Sequence, residues 1–293
     1  MARLTSASYI KITLIVLLAV VVCAAFGLGT CSYSPLPVSY QGTVLTQVGN
    51  ADVDAGTVKN IEINWAAGTV DIKTAAQGST ITLAESAPGS ISRGQEMRWQ
   101  VIGDTLAIDY GTWGTGAWGF NIGSCSAIGD KHLEVTIPQN LARTLGSLEI
   151  NGASGDYRVN GIACDSFNTS LASGSLNAAG MTVNSLNLKS ASGTMTFQGQ
   201  VSKSVSLDTA SGDIEVTCEK VVPNTVDASM ASGKVTVWIP ENDGFTASVT
   251  KLSGAFNSDF TMQQNGDTYL YKNGGTRISV SILSGAFSLR KVS

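Results

Sequence analysis

A glycine preceded by a small residue and flanked by alternating apolar residues recurs at Gly68, Gly155, Gly174, Gly193, Gly212, Gly233, Gly254 and Gly285. From Gly155 to Gly212 the step is a constant 19 residues; it then becomes 21, 21 and 31, and 87 residues separate the first copy from the second. Seven positions before each glycine stand Ile61, Leu148, Phe167, Leu186, Val205, Val226, Ala247 and Ile278, and two positions after stand Val70, Tyr157, Leu176, Met195, Ile214, Val235, Phe256 and Phe287. The apolar alternation has period two on both sides. Residues two apart fall on different faces of a helix but on one face of a strand, so each copy reads as strand, turn, strand. A unit of about 20 residues cannot enclose a core by itself, which makes stacking of equivalent strands in parallel the economical solution. The pattern predicts an all-β fold, a parallel β-solenoid of repeats of about 19–21 residues, right-handed because parallel crossovers have that hand. Meander or sandwich packing also suits short alternating strands, and the near-constant step favours coiling. The eight glycines are expected to be structural, turning a corner at positive φ, with Ser154, Ser173, Ser192, Ser211, Ser232, Ser253 and Ser284 in a ladder beside them.

The solenoid is expected over residues 56–293. Residues 75–145 interrupt the motif but keep strand signals at Ile81 and Leu83, Leu106 and Ile108, and Leu133, Val135 and Ile137, and read as irregular early coils plus one insertion. Residues 256–293 carry Asn265-Gly266 and Asn273-Gly274-Gly275 turns and are expected to close the C-terminal end. Ahead of the solenoid, residues 12–30 form an uncharged apolar run of about the length that spans a bilayer. Arg3 and Lys11 precede it and the next basic residue is Lys59, which places residues 1–11 in the cytoplasm and the rest outside the cell membrane, with residues 12–30 as a single-pass transmembrane anchor. Small residues around Cys23-Ala24-Ala25 leave a cleaved signal segment as the alternative, with a lipoprotein at Cys31 a weaker one. Residues 31–55, rich in Ser, Pro, Gly and Val, read as a linker.

Composition narrows the function. Charged residues are 14% of the chain, the net charge is −4 and no basic run exists to neutralise phosphates, which argues against a nucleic-acid partner. His132 is the single histidine, which disfavours His-based metal sites and Ser-His-Asp or Cys-His catalytic sets. No metal or other cofactor is indicated. Asp156 and Asp213 both follow a turn glycine, but three repeats apart they would be separated by ~14 Å at about 4.8 Å per coil, too far for a glycoside-cleaving pair. A glycan-cleaving β-helix enzyme is therefore a distant third reading.

The stretch from Tyr110 to Gly129 sets Tyr110, Trp113, Trp118 and Phe120 among glycines. Aromatics on such an insertion offer large apolar faces to sugar rings or a partner surface; the other reading is a cap folded over one end of the solenoid. It lacks the Lys-Ser/Thr pair of a phosphate loop. Cys125 with Cys164 is the feasible disulfide, against the alternative that Cys125, Cys164 and Cys218 are all unpaired. Trp238 follows inward Val237 and is expected to face outward; a lone Trp so placed is more often covered by a neighbouring loop than functional.

Leu133-Glu-Val-Thr-Ile-Pro138, the repeated Ala-Ser-Gly turns, Val235-Thr-Val-Trp-Ile-Pro240 and Leu283-Ser-Gly-Ala-Phe287 together resemble the bacterial putative-adhesin family of β-strand-repeat envelope proteins, a domain of unknown function, over residues 58–290. The resemblance implies an exported or membrane-anchored envelope protein and brings no catalytic residues with it. The reading is a non-enzymatic surface protein, an adhesin or binding module whose partners are the membrane and a cell-wall glycan or envelope protein. Its alternative is a self-assembling envelope scaffold or an accessory of a cell-envelope stress response.

Overall fold

The structure, a computed structural model, describes residues 39–40, 43–91, 94–111 and 131–292. The apolar segment 12–30, most of the Pro-rich stretch after it and residues 112–130 lie outside the described residues. Among the described residues no helix is long and apolar enough to cross a membrane. Nearly every described element is a strand; the exception is the short α-helix Gln139–Ala142.

The repeats build stacked coils, each made of two strands joined at the glycine turn. Nine such coils occur among the described residues, and their order in space differs from their order in sequence. The first coil is Thr105–Asp109 with His132–Pro138, the second Asn60–Trp65 with Thr69–Ala75, and the third Leu145–Gly152 with Asp156–Asn160. The long strands Ala163–Leu171, Ser175–Ser190 and Thr194–Thr209, followed by Asp213–Cys218, wind through the fourth, fifth and sixth. Thr225–Met230 with Lys234–Ile239 form the seventh, Thr276–Ile282 with Ala286–Lys291 the eighth, and Gly244–Lys251 with Ala255–Ser258 the ninth. Neighbouring coils pair in parallel, in one register apart from a shift at Met181–Val183.

Register turns the apolar offsets into continuous interior columns. Leu106, Ile61, Leu148, Phe167, Leu186, Val205, Val226, Ile278 and Ala247 stack one above another, all buried. A second column runs from Leu133 through Val70, Tyr157, Leu176, Met195, Ile214 and Val235 to Phe287, also buried, with half-buried Phe256 at its end. The first coil is a repeat that the glycine spacing does not reveal: Leu106 and Ile108 precede its turn, Leu133 and Val135 follow it, and Lys131 stands where other coils have glycine.

The turn glycines form a ladder whose cause is mostly contact. Only Gly68, Gly174, Gly233 and Gly285 take positive φ, so the expectation of a left-handed corner fails at Gly155, Gly193, Gly212 and Gly254. What all eight share is crowding: a Cβ on Gly155, Gly174, Gly193, Gly212, Gly233 or Gly285 would lie 2.2–2.5 Å from the carbonyl oxygen of the glycine one coil below. On Gly254 the corresponding distance, to the Gly285 oxygen, is 2.7 Å. The seven serines lie in the ladder beside them, each backbone N–H donating to the adjacent coil.

Both ends depart from the sequence reading for one reason, the need to cover open strand edges. At the first coil, Arg98–Ile102 and Thr80–Ser86 pair antiparallel with its two strands. Gln47–Val48 and Ala51–Asp54, read as linker, then pair antiparallel with those covering strands and so belong to the folded body. At the other end the chain lays the ninth coil, makes the hairpin Gln263–Asn265 with Thr268–Lys272, and returns to insert the eighth coil beneath it. The final repeat is thus internal, and the hairpin closes one edge; Ala255–Ser258 pairs on one side only among the described residues.

Candidate functional site

In the first coil the aromatic insertion stands in sequence where the other coils have a three-residue turn, and its two stems are held in the fold by a buried polar cluster. Tyr110 follows the first strand of that coil and Lys131 precedes the second. The Lys131 side chain is wholly buried and its ammonium pairs with the equally buried Glu85 carboxylate. It also donates to the Gln95 carbonyl at 2.8 Å and to the Tyr110 carbonyl, which ties the outgoing stem to the returning one. Both Glu85 oxygens accept the Met97 N–H, at 2.9 and 3.0 Å. The ammonium lies 4.1 Å from the Tyr110 ring centroid and 5.1 Å from that of Trp65, whose rings meet edge to face at 4.9 Å. Burial pushes the Lys131 pKa down, opposed by its hydrogen bond to Glu85. An ion pair removed from water is sustained only by this degree of partnering.

Asp109, one residue before Tyr110, sits opposite Arg98 and Asn64 in the sheet and accepts the Gly111 N–H at 3.2 Å. Burial pushes its pKa up to about 7, against the lowering effects of the Gly111 N–H and Lys131. Gly111 has φ +88, and a Cβ there would lie 1.9 Å from the Glu96 carbonyl oxygen, so the outgoing stem is pressed against backbone. Beneath the cluster, Tyr157 donates from its hydroxyl to the Trp65 carbonyl at 2.6 Å in space that Gly152 leaves open. A shallow cleft of about 420 Å³ opens beside Lys131, lined by Gly68, Thr69, Ser154, Gly155, Asp156 and Gly174 among others. On the outer face next to it, the Thr69 hydroxyl and His132 Nδ1 are 2.6 Å apart, and Asp71 lies 3.7 Å from His132 and 3.4 Å from Arg158.

Of the residues singled out from sequence, Tyr110 is in this cluster, half-buried; Trp113, Trp118, Phe120 and Cys125 lie outside the described residues. Cys164, the suggested partner of Cys125, carries a free thiol sealed in the fourth coil, where burial pushes its pKa up to about 12; Cys218 is likewise free and buried. Asp156 and Asp213 occupy one column with Ser175 and Thr194 between them, and Ser175 donates to Asp156 at 2.6 Å. Among the described residues no group of His, Cys, Asp and Glu could hold a metal ion. Lys131, Glu85 and Asp109 were not legible as a site. The available signal was Leu133 and Val135, two and four positions after Lys131, the offsets that follow each turn glycine.

No curated protein matches the chain. Its fold is similar to two solved structures. One is described as a putative cell adhesion protein from Clostridium sporogenes, 16% identical, covering 84% of this chain and 99% of that one at a TM-score of 0.39. The other is described as a putative adhesin from Bacteroides fragilis, 13% identical, covering 88% and 100% at a TM-score of 0.47. The family model described as Toastrack DUF4097 matches residues 58–222, from the start of the second coil past the end of the sixth, and the chain belongs to that family.

Proposed function

We propose that the chain is a non-enzymatic binding module of the bacterial cell envelope, an adhesin by class, in which a right-handed solenoid stands outside the membrane behind an anchor at residues 12–30. The observation that carries this reading is the buried clamp at the insertion. Where other coils turn in three residues, the sequence of this coil has a longer segment containing Trp113, Trp118 and Phe120, and a buried ion pair, with the bond from Lys131 to the Tyr110 carbonyl, ties its two stems together. We take those aromatics as the contact residues, since binding residues commonly stand in segments between the elements of a rigid scaffold. The net charge of −4 and the scarcity of basic residues favour a glycan or envelope protein over a polyanion.

The test compares the full chain in detergent with a version in which residues 111–124 are replaced by a Gly-Ser linker, each applied to fractionated cell-wall glycans and membrane extracts. Saturable retention lost on replacement supports the reading. No retention, or equal retention of two equally folded versions, overturns it.

One observation favours the scaffold alternative. The one-sided edge of Ala255–Ser258 lies next to Leu252, 58% exposed, at the end of the stack. Concentration-dependent self-association abolished by Leu252→Lys would select that reading.

A further inference from the structure

Trp238 lies on the outer face of the seventh coil, far along the stack from the insertion, in a row with Thr217 of the sixth coil and Arg290 of the eighth. Its indole N–H donates to Glu215 Oε1 at 2.8 Å. Glu215 is in register with Thr236, two residues back along the Trp238 strand, so the bond makes the indole lean backward and sideways across the sheet. Burial agrees. Thr236 points outward between inward Val235 and Val237 yet is only 8% exposed, as is Ser288 (4%) at the same position of the eighth coil, whereas Asp71 and Thr196 are half-buried and Arg158, Asn177 and Glu215 exposed in earlier coils. The half-buried indole is thus held on the outer face beside Glu215, with Thr217 and Arg290 in its row.

Those surroundings are also fixed. The Arg290 guanidinium is held by Asp259 at 2.6 Å, and Gln198 donates to Glu219 at 3.0 Å on the neighbouring coils. An aromatic plane held by a hydrogen bond gives stacking area at little entropic cost, and with the Glu215 carboxylate on its edge and Thr217 and Arg290 in its row it matches the C–H face and hydroxyl rim of a pyranose. The Glu215 carboxylate bonded to the indole, with Arg290 beside it already paired to Asp259, disfavours phosphate-bearing ligands.

We infer that Trp238, with Glu215 and Arg290, forms a saccharide-stacking subsite for neutral oligosaccharides on the flat face of the solenoid, separate from the insertion. The inference rests on the proposed reading of the chain as a surface binding module and adds the ligand class and a second place of contact.

The experiment titrates the full chain in detergent with chitotetraose, a soluble neutral oligosaccharide, by calorimetry. The comparison set is Trp238→Ala, Trp238→Phe, Glu215→Ala and the linker replacement of residues 111–124, each checked for an unchanged melting temperature. Binding weakened at least tenfold by Trp238→Ala, less by Glu215→Ala, largely kept by Trp238→Phe and untouched by the linker replacement is the expected result. Binding that survives Trp238→Ala, or no binding of chitotetraose at all, overturns the subsite. The two ideas fail separately: retention of cell-wall fractions that depends on the insertion but not on Trp238 leaves the binding-module reading standing without the subsite, and the reverse pattern leaves the subsite standing without the insertion.

Discussion

The glycine ladder makes a prediction that separates two reasons for glycine. Gly193 does not take positive φ, but a Cβ there would stand 2.4 Å from the Gly174 carbonyl oxygen, about 1 Å inside ordinary contact. Relief requires the fourth and fifth coils to part locally by about that distance, which would stretch the Thr194 N–H to Gly174 carbonyl bond from 3.0 Å beyond hydrogen-bonding range. Overpacking of this kind costs roughly 1–3 kcal/mol and a lost hydrogen bond adds about 1 kcal/mol, so Gly193→Ala should destabilise by ~2–4 kcal/mol. Gly103 is the opposite case: φ is +64 and a Cβ would meet nothing within 4 Å, which leaves only the left-handed backbone penalty of ~1–2 kcal/mol for Gly103→Ala. Gly174→Ala combines both faults, with φ +103 and a 2.2 Å approach, and should be the worst of the three. Urea unfolding of the full chain in detergent, followed by circular dichroism, ranks them. Because coils interact mainly with their neighbours, Gly193→Ala should also broaden the transition or split it in two as the flanking stacks uncouple. If Gly193→Ala proves no more damaging than Gly103→Ala, the glycines are there for turn conformation and the contact argument is wrong.

Three further perturbations address the clamp and the core. Lys131→Met strands Glu85 in the interior and should cost about 3–5 kcal/mol in thermal unfolding, with Lys131→Met/Glu85→Leu recovering much of that loss because the pair is then removed together. Asp109, with Lys131, Arg98 and Glu62 facing it, has a folded pKa near 7, raised from an ordinary carboxylate value by burial; its contribution to stability is therefore complete below about pH 4 and is lost as pH rises through 7. Asp109→Asn should flatten that decline, by up to about 1.4 kcal/mol per pH unit in the window, when melting curves are compared from pH 4 to pH 8. Thr169 faces the core at 1% exposure, and its hydroxyl finds no partner among the described residues; Thr169→Val should stabilise by ~1 kcal/mol, read as a rise in melting temperature.

The sequence carried the register of this fold but not the order of its coils, and the physics of parallel pairing explains why. Every coil presents the same offsets to its neighbours, so Val226 is as suitable a partner for Ala247, which follows it in sequence, as for Ile278, which it meets. Only the uneven gaps, 87 residues before Gly155 and 31 before Gly285, mark the two places where the chain doubles back. Both are ends, where an open parallel edge must be covered, and antiparallel strands do this with short turns such as Gly103 and Asn265-Gly266. The insertion was visible as composition, but its anchorage was hidden because Lys131, Glu85 and Gln95 come together only when the first coil is placed outside the second. In the sequence Lys131 is marked only by Leu133 and Val135 after it, with nothing at the offsets before it to complete the repeat. Its role follows from position: with Lys131 in the glycine column, its carbonyl receives the Thr69 N–H in the ladder while its side chain turns inward to hold the opposite stem, one residue joining the regular stack to the irregular segment that leaves it.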